Sequence, residues 1–162
     1  MPLAQKLRAF LDANLVEYKH TVHPIAYTAC QVASAEHLPT REVAKSIVIF
    51  ADAEYHMAVV PANRLVDFQE IRTALGFKHA RLATEEELSH LFPDCEVGAM
   101  PPLGNLYGIS VYLDRGLAEQ EVIAFNGGSH RDVIHMKTAD FRKLVHPQVV
   151  TIACEVLMGH GW

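Results

Sequence analysis

The sequence predicts an α/β protein of the α+β type: a mixed, mainly antiparallel sheet or partly closed barrel packed by helices. Three observations predict it. The runs 45–50 and 55–60 are apolar and of strand length, and the polar turn Asp52-Ala53-Glu54 between them marks a hairpin. Amphipathic helical spacing recurs around such runs, as in Leu3, Leu7, Phe10 and Leu11. Several connections are too short for the crossover that parallel neighbours need.

Taken in order, residues 3–13 form a surface-lying helix, with Lys6, Arg8 and Asp12 between its apolar positions, that ends near Asn14. Residues 16–22 alternate as a short strand and run into His23-Pro24, where the proline holds the preceding residue extended. Thr28 caps a helix over 29–37, and Pro39-Thr40-Arg41-Glu42 turns into a further short helical piece. After the hairpin, Pro61-Ala62-Asn63-Arg64 leaves the sheet, and Phe68, Ile71 and Leu75 with Gly76 beyond them give a helix and its stop. Thr84 and Glu87 have the spacing of a capping box, opening a helix that ends before Pro93. Strands follow over 107–113, 121–125 and 132–136, the last reached through the turn Asn126-Gly127-Gly128-Ser129, and a helix over 139–145 closes the series. No repeat or interdomain linker interrupts the pattern, so one domain over residues 1–162 is expected.

Half of the 162 residues are hydrophobic, a fifth are charged, and the net charge is −5. Such a chain buries a real core. Its acidic balance argues against a protein that grips long stretches of nucleic acid, which needs a basic surface, and leaves room for a short contact. No apolar run reaches the length of a membrane span and the N-terminus is amphipathic, so a soluble, cytoplasmic protein is expected, monomeric by default. Cys30, Cys95 and Cys154 are odd in number and form no C-x-x-C pair, which points to reduced, mostly buried thiols. The apolar run 149–158 is expected to pack in cis or to cover a neighbour.

The chemistry-bearing stretch is the loop Gly98-Ala99-Met100-Pro101-Pro102-Leu103-Gly104-Asn105. Two prolines stiffen it, and its glycines permit backbone conformations that other residues resist, so it suits one wall of a small-ligand site or a tight connection between elements. Lys45 heads an otherwise apolar strand. A cation there either stabilises negative charge developing on a substrate oxygen or snorkels out at the strand end. Ser129 and His130 follow two glycines, so a small-residue turn presents a hydroxyl and an imidazole beside backbone N–H groups, although no Gly-x-Ser-x-Gly elbow makes Ser129 a nucleophile. Ten histidines invite a metal reading at His20-x-x-His23 or His130-x4-His135, yet no His-Glu-x-x-His helix or cysteine pair completes a ligand set. No P-loop or dinucleotide fingerprint is present, so neither metal nor cofactor is expected.

These motifs, in this order, resemble the YbaK/prolyl-tRNA-synthetase-associated domain family of aminoacyl-tRNA editing deacylases. The carriers are Lys45 heading its strand, the G-x-x-x-P loop Gly98 to Pro102, Val111-Tyr112-Leu113-Asp114, and Phe125-Asn126-Gly127-Gly128-Ser129-His130 followed by Asp140-Phe141. The resemblance implies the editing-domain fold and hydrolysis of the ester joining a mischarged small amino acid to the terminal adenosine of a tRNA, with water as the nucleophile. It places Lys45 in substrate orientation and charge stabilisation, the Gly98 backbone in polar contact, and His130 in substrate or water positioning. It implies that His23, Tyr27, Ser46, Ala99, Met100, Pro101, Pro102, Gly128 and Ser129 line or shape the substrate site. The implied partners are the aminoacylated 3′ end of a tRNA and, transiently, an aminoacyl-tRNA synthetase. Two readings stand beside it: a binding module of the same fold without hydrolysis, and a metal-dependent hydrolase using the histidines.

Overall fold

A computed structural model describes residues 3–155. Its elements are α1 (Gln5–Ala13), β1 (Tyr18–Val22), α2 (Ala29–Ala35), β2 (Ala44–Ala51), β3 (Glu54–Pro61), β4 (Arg64–Val66), α3 (Phe68–Leu75), β5 (Ala80–Leu82), α4 (Glu85–Leu91), β6 (Ser110–Asp114), α5 (Arg115–Ala118), β7 (Val122–Asn126), β8 (Asp132–Lys137), α6 (Thr138–Val145), β9 (Gln148–Val150) and β10 (Ala153–Glu155). The strands form three sheets, in the orders β5-β2-β3-β6-β9, β1-β8-β7 and β10-β4. Among the described residues, β3 with β6 and β6 with β9 run parallel, and the other strand pairs are antiparallel. The sheets do not close into a barrel, so the open, mixed alternative is the one adopted. A single parallel bridge, Val43 to Ala124, brings the start of β2 against β7.

Local chemistry explains most boundaries. The β2–β3 hairpin turns through Asp52 and Ala53, both at positive φ (49° and 70°), as a two-residue connection matched to strand twist requires. The Asp52 carboxylate secures that turn by accepting from the Lys78 and His79 N–H groups at 3.0 Å each. Thr28 and Thr84 both complete capping boxes, with Gln31 and Glu87 respectively, and Asp67 caps α3, which stops at Gly76 in the left-handed region. The expected strand over 107–113 starts late: residues Gly104–Tyr107 form a 3-10 turn, Gly108 sits at φ 71°, and β6 begins at Ser110. The strands β4, β5, β9 and β10 and the helix α5 have three or four residues each, too few to carry a periodic signal.

Strand alternation sorts the core. Val48, Met57, Val59, Val111 and Leu113 face α1 and α6 together with Phe125, Ile134 and Phe141, whereas Ile47, Ile49, Ala58 and Val60 face Ile71 and Ile152. A third cluster packs Val32 and Ala33 of α2 onto Val43, Ala62, Ala124 and Val133. The C-terminal run packs in cis as far as it is described: Ile152 is fully buried and Ala153–Glu155 pairs with β4; residues 156–158 of that run lie outside the described residues. Of the cysteines, Cys95 is buried, Cys154 is intermediate and Cys30 is exposed, so the expectation of mostly buried thiols holds for only part of the set.

Candidate active site

Lys45 enters β2 at its second position, half-buried, opposite Val60 of β3. Burial in this largely apolar setting pushes its pKa below the ordinary lysine value of 10.5, and the neighbouring Cys30 offsets part of that shift. The loop carrying Gly98 comes up beside it. Gly98 lies at φ +87°, in the region that favours glycine, and its N–H points to Met100 Sδ at 3.3 Å. A thioether is a weak acceptor, so a ligand oxygen competes well for that donor.

A cavity of about 260 Å³ results, and Tyr27, Lys45, Ser46, Gly98, Met100 and Asn126 are among its lining residues. Five of these six were singled out in the sequence. Three larger concavities, of about 450, 420 and 440 Å³, lie elsewhere and include none of the sequence-predicted site residues. Size therefore does not select the site; the coincidence of a half-buried lysine with polar groups that lack hydrogen-bond partners among the described residues does. Ser46 Oγ and Asn126 Oδ1 are buried without a hydrogen-bond partner among the described residues. Native structures rarely leave such atoms unsatisfied, and a pocket that receives a polar ligand is a physical reason to do so.

His130 stands next door. It lines a smaller cleft of about 170 Å³ with Ile25, Tyr27, Glu96 and Arg131, so Tyr27 is shared by both cavities, its ring 5.0 Å from the imidazole. A carbonyl can only accept, so the 3.0 Å contact of His130 Nε2 with the Val97 oxygen places the proton on Nε2 of the neutral ring. Nδ1 is then an acceptor, buried and without a partner among the described residues. A Cβ on Gly98 would come within 3.6 Å of His130 Cε1, so the imidazole abuts the loop from the far side.

The glycine-rich turn acts as the clamp for that loop. Gly128 donates to the Ala99 carbonyl at 3.0 Å and accepts from the Glu96 N–H at 2.7 Å, and the His130 N–H reaches Glu96 Oε1 at 3.2 Å. Ala99, Pro101, Pro102 and Gly128 are buried in this stitching and do not line the Lys45 cavity. Ser129 is also outside it: only 1 % exposed, its hydroxyl donates to Asp132 Oδ2 and accepts from the Arg131 and Asp132 N–H groups. Asp132 Oδ1 in turn pairs with His20 Nε2 at 2.6 Å. The aspartate sits between serine and histidine, so among the described residues no imidazole is placed to take the hydroxyl proton. Replacing Ser129 by alanine should therefore cost about 1–3 kcal/mol of stability by stranding the buried Asp132 oxygen. Denaturant melts beside rate assays check this, with the rate per folded molecule falling far less than in Lys45 variants.

His23 is likewise displaced from the cavity: it is buried, its Nδ1 donates to the Pro24 carbonyl at 2.6 Å, and its N–H pairs with Arg131 O at 3.0 Å. His135 Nε2 is engaged by Glu36 at 2.8 Å. Asn126, Thr28, Ala29, Ala44 and Ile47 also line the cavity and were not singled out as site residues from the sequence. The sequence shows the strand over 121–125 but assigns Asn126 to the turn after it, and β7 in fact runs through Asn126; the approach of that strand to β2 carries no local signal.

Fold and site define a small α/β protein with a lysine-bearing pocket formed by the start of β2, the end of β7 and the Gly98 loop. The chain belongs to the aminoacyl-tRNA editing domain family, whose model matches residues 23–144. It is 24 % identical over 151 residues to the multifunctional Ser/Thr-tRNA deacylase ProXp-y of Escherichia coli (strain K12), covering 90 % of each chain. It is also 23 % identical over 129 residues to the proline–tRNA ligase of Macrococcus caseolyticus, covering 80 % of this chain and 22 % of that enzyme. Among solved structures, a candidate trans-editing enzyme for prolyl tRNA synthetase superposes with a TM-score of 0.83 at 23 % identity, over 94 % of this chain and 97 % of the other.

Proposed function

We propose that this protein is an aminoacyl-tRNA deacylase that hydrolyses the ester of a mischarged small amino acid, acting in trans on the charged 3′ end. The observation that carries the reading is the meeting of Lys45, Ser46, Gly98 and Met100 in one cavity of about 260 Å³. That volume suits a short side chain. An ester to a ribose hydroxyl is already activated, so orientation of a water and stabilisation of the tetrahedral oxyanion are the main requirements. The Lys45 ammonium and the Gly98 N–H supply positive charge and a donor for that oxygen. His130 Nδ1, a buried acceptor with no partner among the described residues, positions the attacking water or a ribose hydroxyl from the adjoining cleft. Ser46 contacts the amino-acid side chain, and Tyr27, exposed at the mouth of both cavities, faces the nucleoside end.

With a net charge of −5 the protein neutralises few phosphates, so it reads the charged tip and its binding should depend only shallowly on salt. Contact with a synthetase that releases such a tRNA is transient in this reading. The test is deacylation of tRNAs charged with alanine, serine, threonine, cysteine and proline. Hydrolysis of one or two members well above the spontaneous rate is expected. Spontaneous rates throughout the panel, with retained binding of a non-hydrolysable aminoacyl-adenosine, would instead assign a binding module of the same fold.

A further inference from the structure

Asn126 is the last residue of β7, where the bridge between Val43 and Ala124 holds that strand against the start of β2. On the alternating strand it shares the face of Ala124, toward α2, while Phe125 turns into the opposite core. This placement sets the carboxamide into the wall of the Lys45 cavity. Its Oδ1 is buried and has no hydrogen-bond partner among the described residues.

The chemistry of the wall says what that oxygen is for. An aminoacyl ester offers three polar handles: the carbonyl oxygen, the side chain, and an α-amino group that is largely protonated near neutral pH. The first needs donors, which Lys45 and the Gly98 N–H provide. The third needs an acceptor, and among the described residues no carboxylate lines the cavity. Thr28 Oγ1 is occupied as the cap of α2, accepting from Gln31 N–H at 3.1 Å. Ser46 Oγ both donates and accepts, and so answers equally well to a substrate side chain. Asn126 Oδ1 can only accept. An ammonium brought into a pocket that already holds a half-buried lysine, with no acceptor to receive it, would be desolvated without return.

We propose that Asn126 recognises the free α-amino group of the substrate, so that the site takes aminoacyl ends and rejects ends whose α-nitrogen is acylated or absent. The proposal rests on the deacylase reading for its substrate and is tested separately from turnover. Two non-hydrolysable probes are used: 3′-alanylamino-3′-deoxyadenosine and its 3′-propionylamino counterpart, which differs only in lacking the amine. Titration calorimetry with wild type should show the amine-bearing probe bound at least about tenfold tighter, the usual size of a hydrogen bond to a charged group. Asn126→Leu, close in volume, should abolish that preference. Asn126→Asp should restore or widen it, which a merely structural role would not.

A preference that survives in Asn126→Leu overturns the proposal. So do equal wild-type affinities, no binding of either probe, or an equal loss for both probes that Asn126→Asp fails to reverse. A preserved, Asn126-dependent preference without hydrolysis of any charged tRNA would sink the deacylase reading alone, and brisk hydrolysis without the preference would sink this one alone.

Discussion

Replacing Lys45 with alanine should lower kcat/KM on the preferred charged tRNA by about 100-fold or more, the scale on which single charge-stabilising groups act in acyl transfer. Steady-state rates of wild type and variant on the same tRNA measure it, and a loss under threefold would remove Lys45 from the chemistry. The pH dependence follows from the burial of the amine. Its pKa in the folded protein lies below 10.5, so the charged form, and with it the enzymatic rate above the spontaneous alkaline background, should fade at a lower pH than an exposed lysine would allow. Lys45→Arg, always charged, should move that fall toward higher pH even if its absolute rate is lower.

The stability consequence has the opposite sense to a salt bridge. A lysine whose folded pKa is lowered binds fewer protons folded than unfolded. Its contribution opposes folding at neutral pH and is relieved as pH rises through the lowered value toward 10.5. Lys45→Met, which carries no charge, should therefore be at least as stable as wild type at pH 7. Function, not stability, is what would then keep a cation at this position.

Phe125→Ala should have the largest effect on folding, about 3–5 kcal/mol, through lost burial and the cavity left behind. Phe125 is 1 % exposed, pairs with Ile134 across the β7–β8 ladder and stands 6.1 Å from the Phe141 ring, centroid to centroid. In a chain of this size that loss corresponds to a fall in Tm of roughly 10 °C. Tyr27→Ala is the contrast: at 68 % exposure it should change stability by no more than about 0.5 kcal/mol while weakening substrate binding. Thermal melts of the two variants side by side decide the stability effects, and titration of Tyr27→Ala with a non-hydrolysable aminoacyl-adenosine decides the binding effect. Equal shifts would mean that the β7 core does not hold the site wall as described.

Much of this protein is legible in its sequence. The capping residues Thr28 and Thr84 and the stop at Gly76 announce helix ends through side-chain and backbone chemistry confined to a few neighbours. The hairpin of β2 and β3 likewise needs only two apolar runs and a polar turn. Lys45 and Gly98 stand out for the same local reason, a charge in an apolar run and a glycine in a proline-stiffened loop. The short strands β4, β5, β9 and β10 stayed hidden because three residues acquire strand character only from the partner that meets them.

What the sequence determined by itself is therefore the set of elements and the residues out of keeping with their surroundings. Tertiary structure decided which of those residues share a space. It sent Ser129 into a buried bond with Asp132, set His130 in the neighbouring cleft, and brought Asn126 to the wall of the Lys45 cavity. Propensity, capping and alternation act over a few residues, whereas the Val43–Ala124 bridge and the Gly128–Ala99 hydrogen bond join segments distant in the chain. Only the packing of three sheets onto common cores fixes such contacts, and the site is made of them.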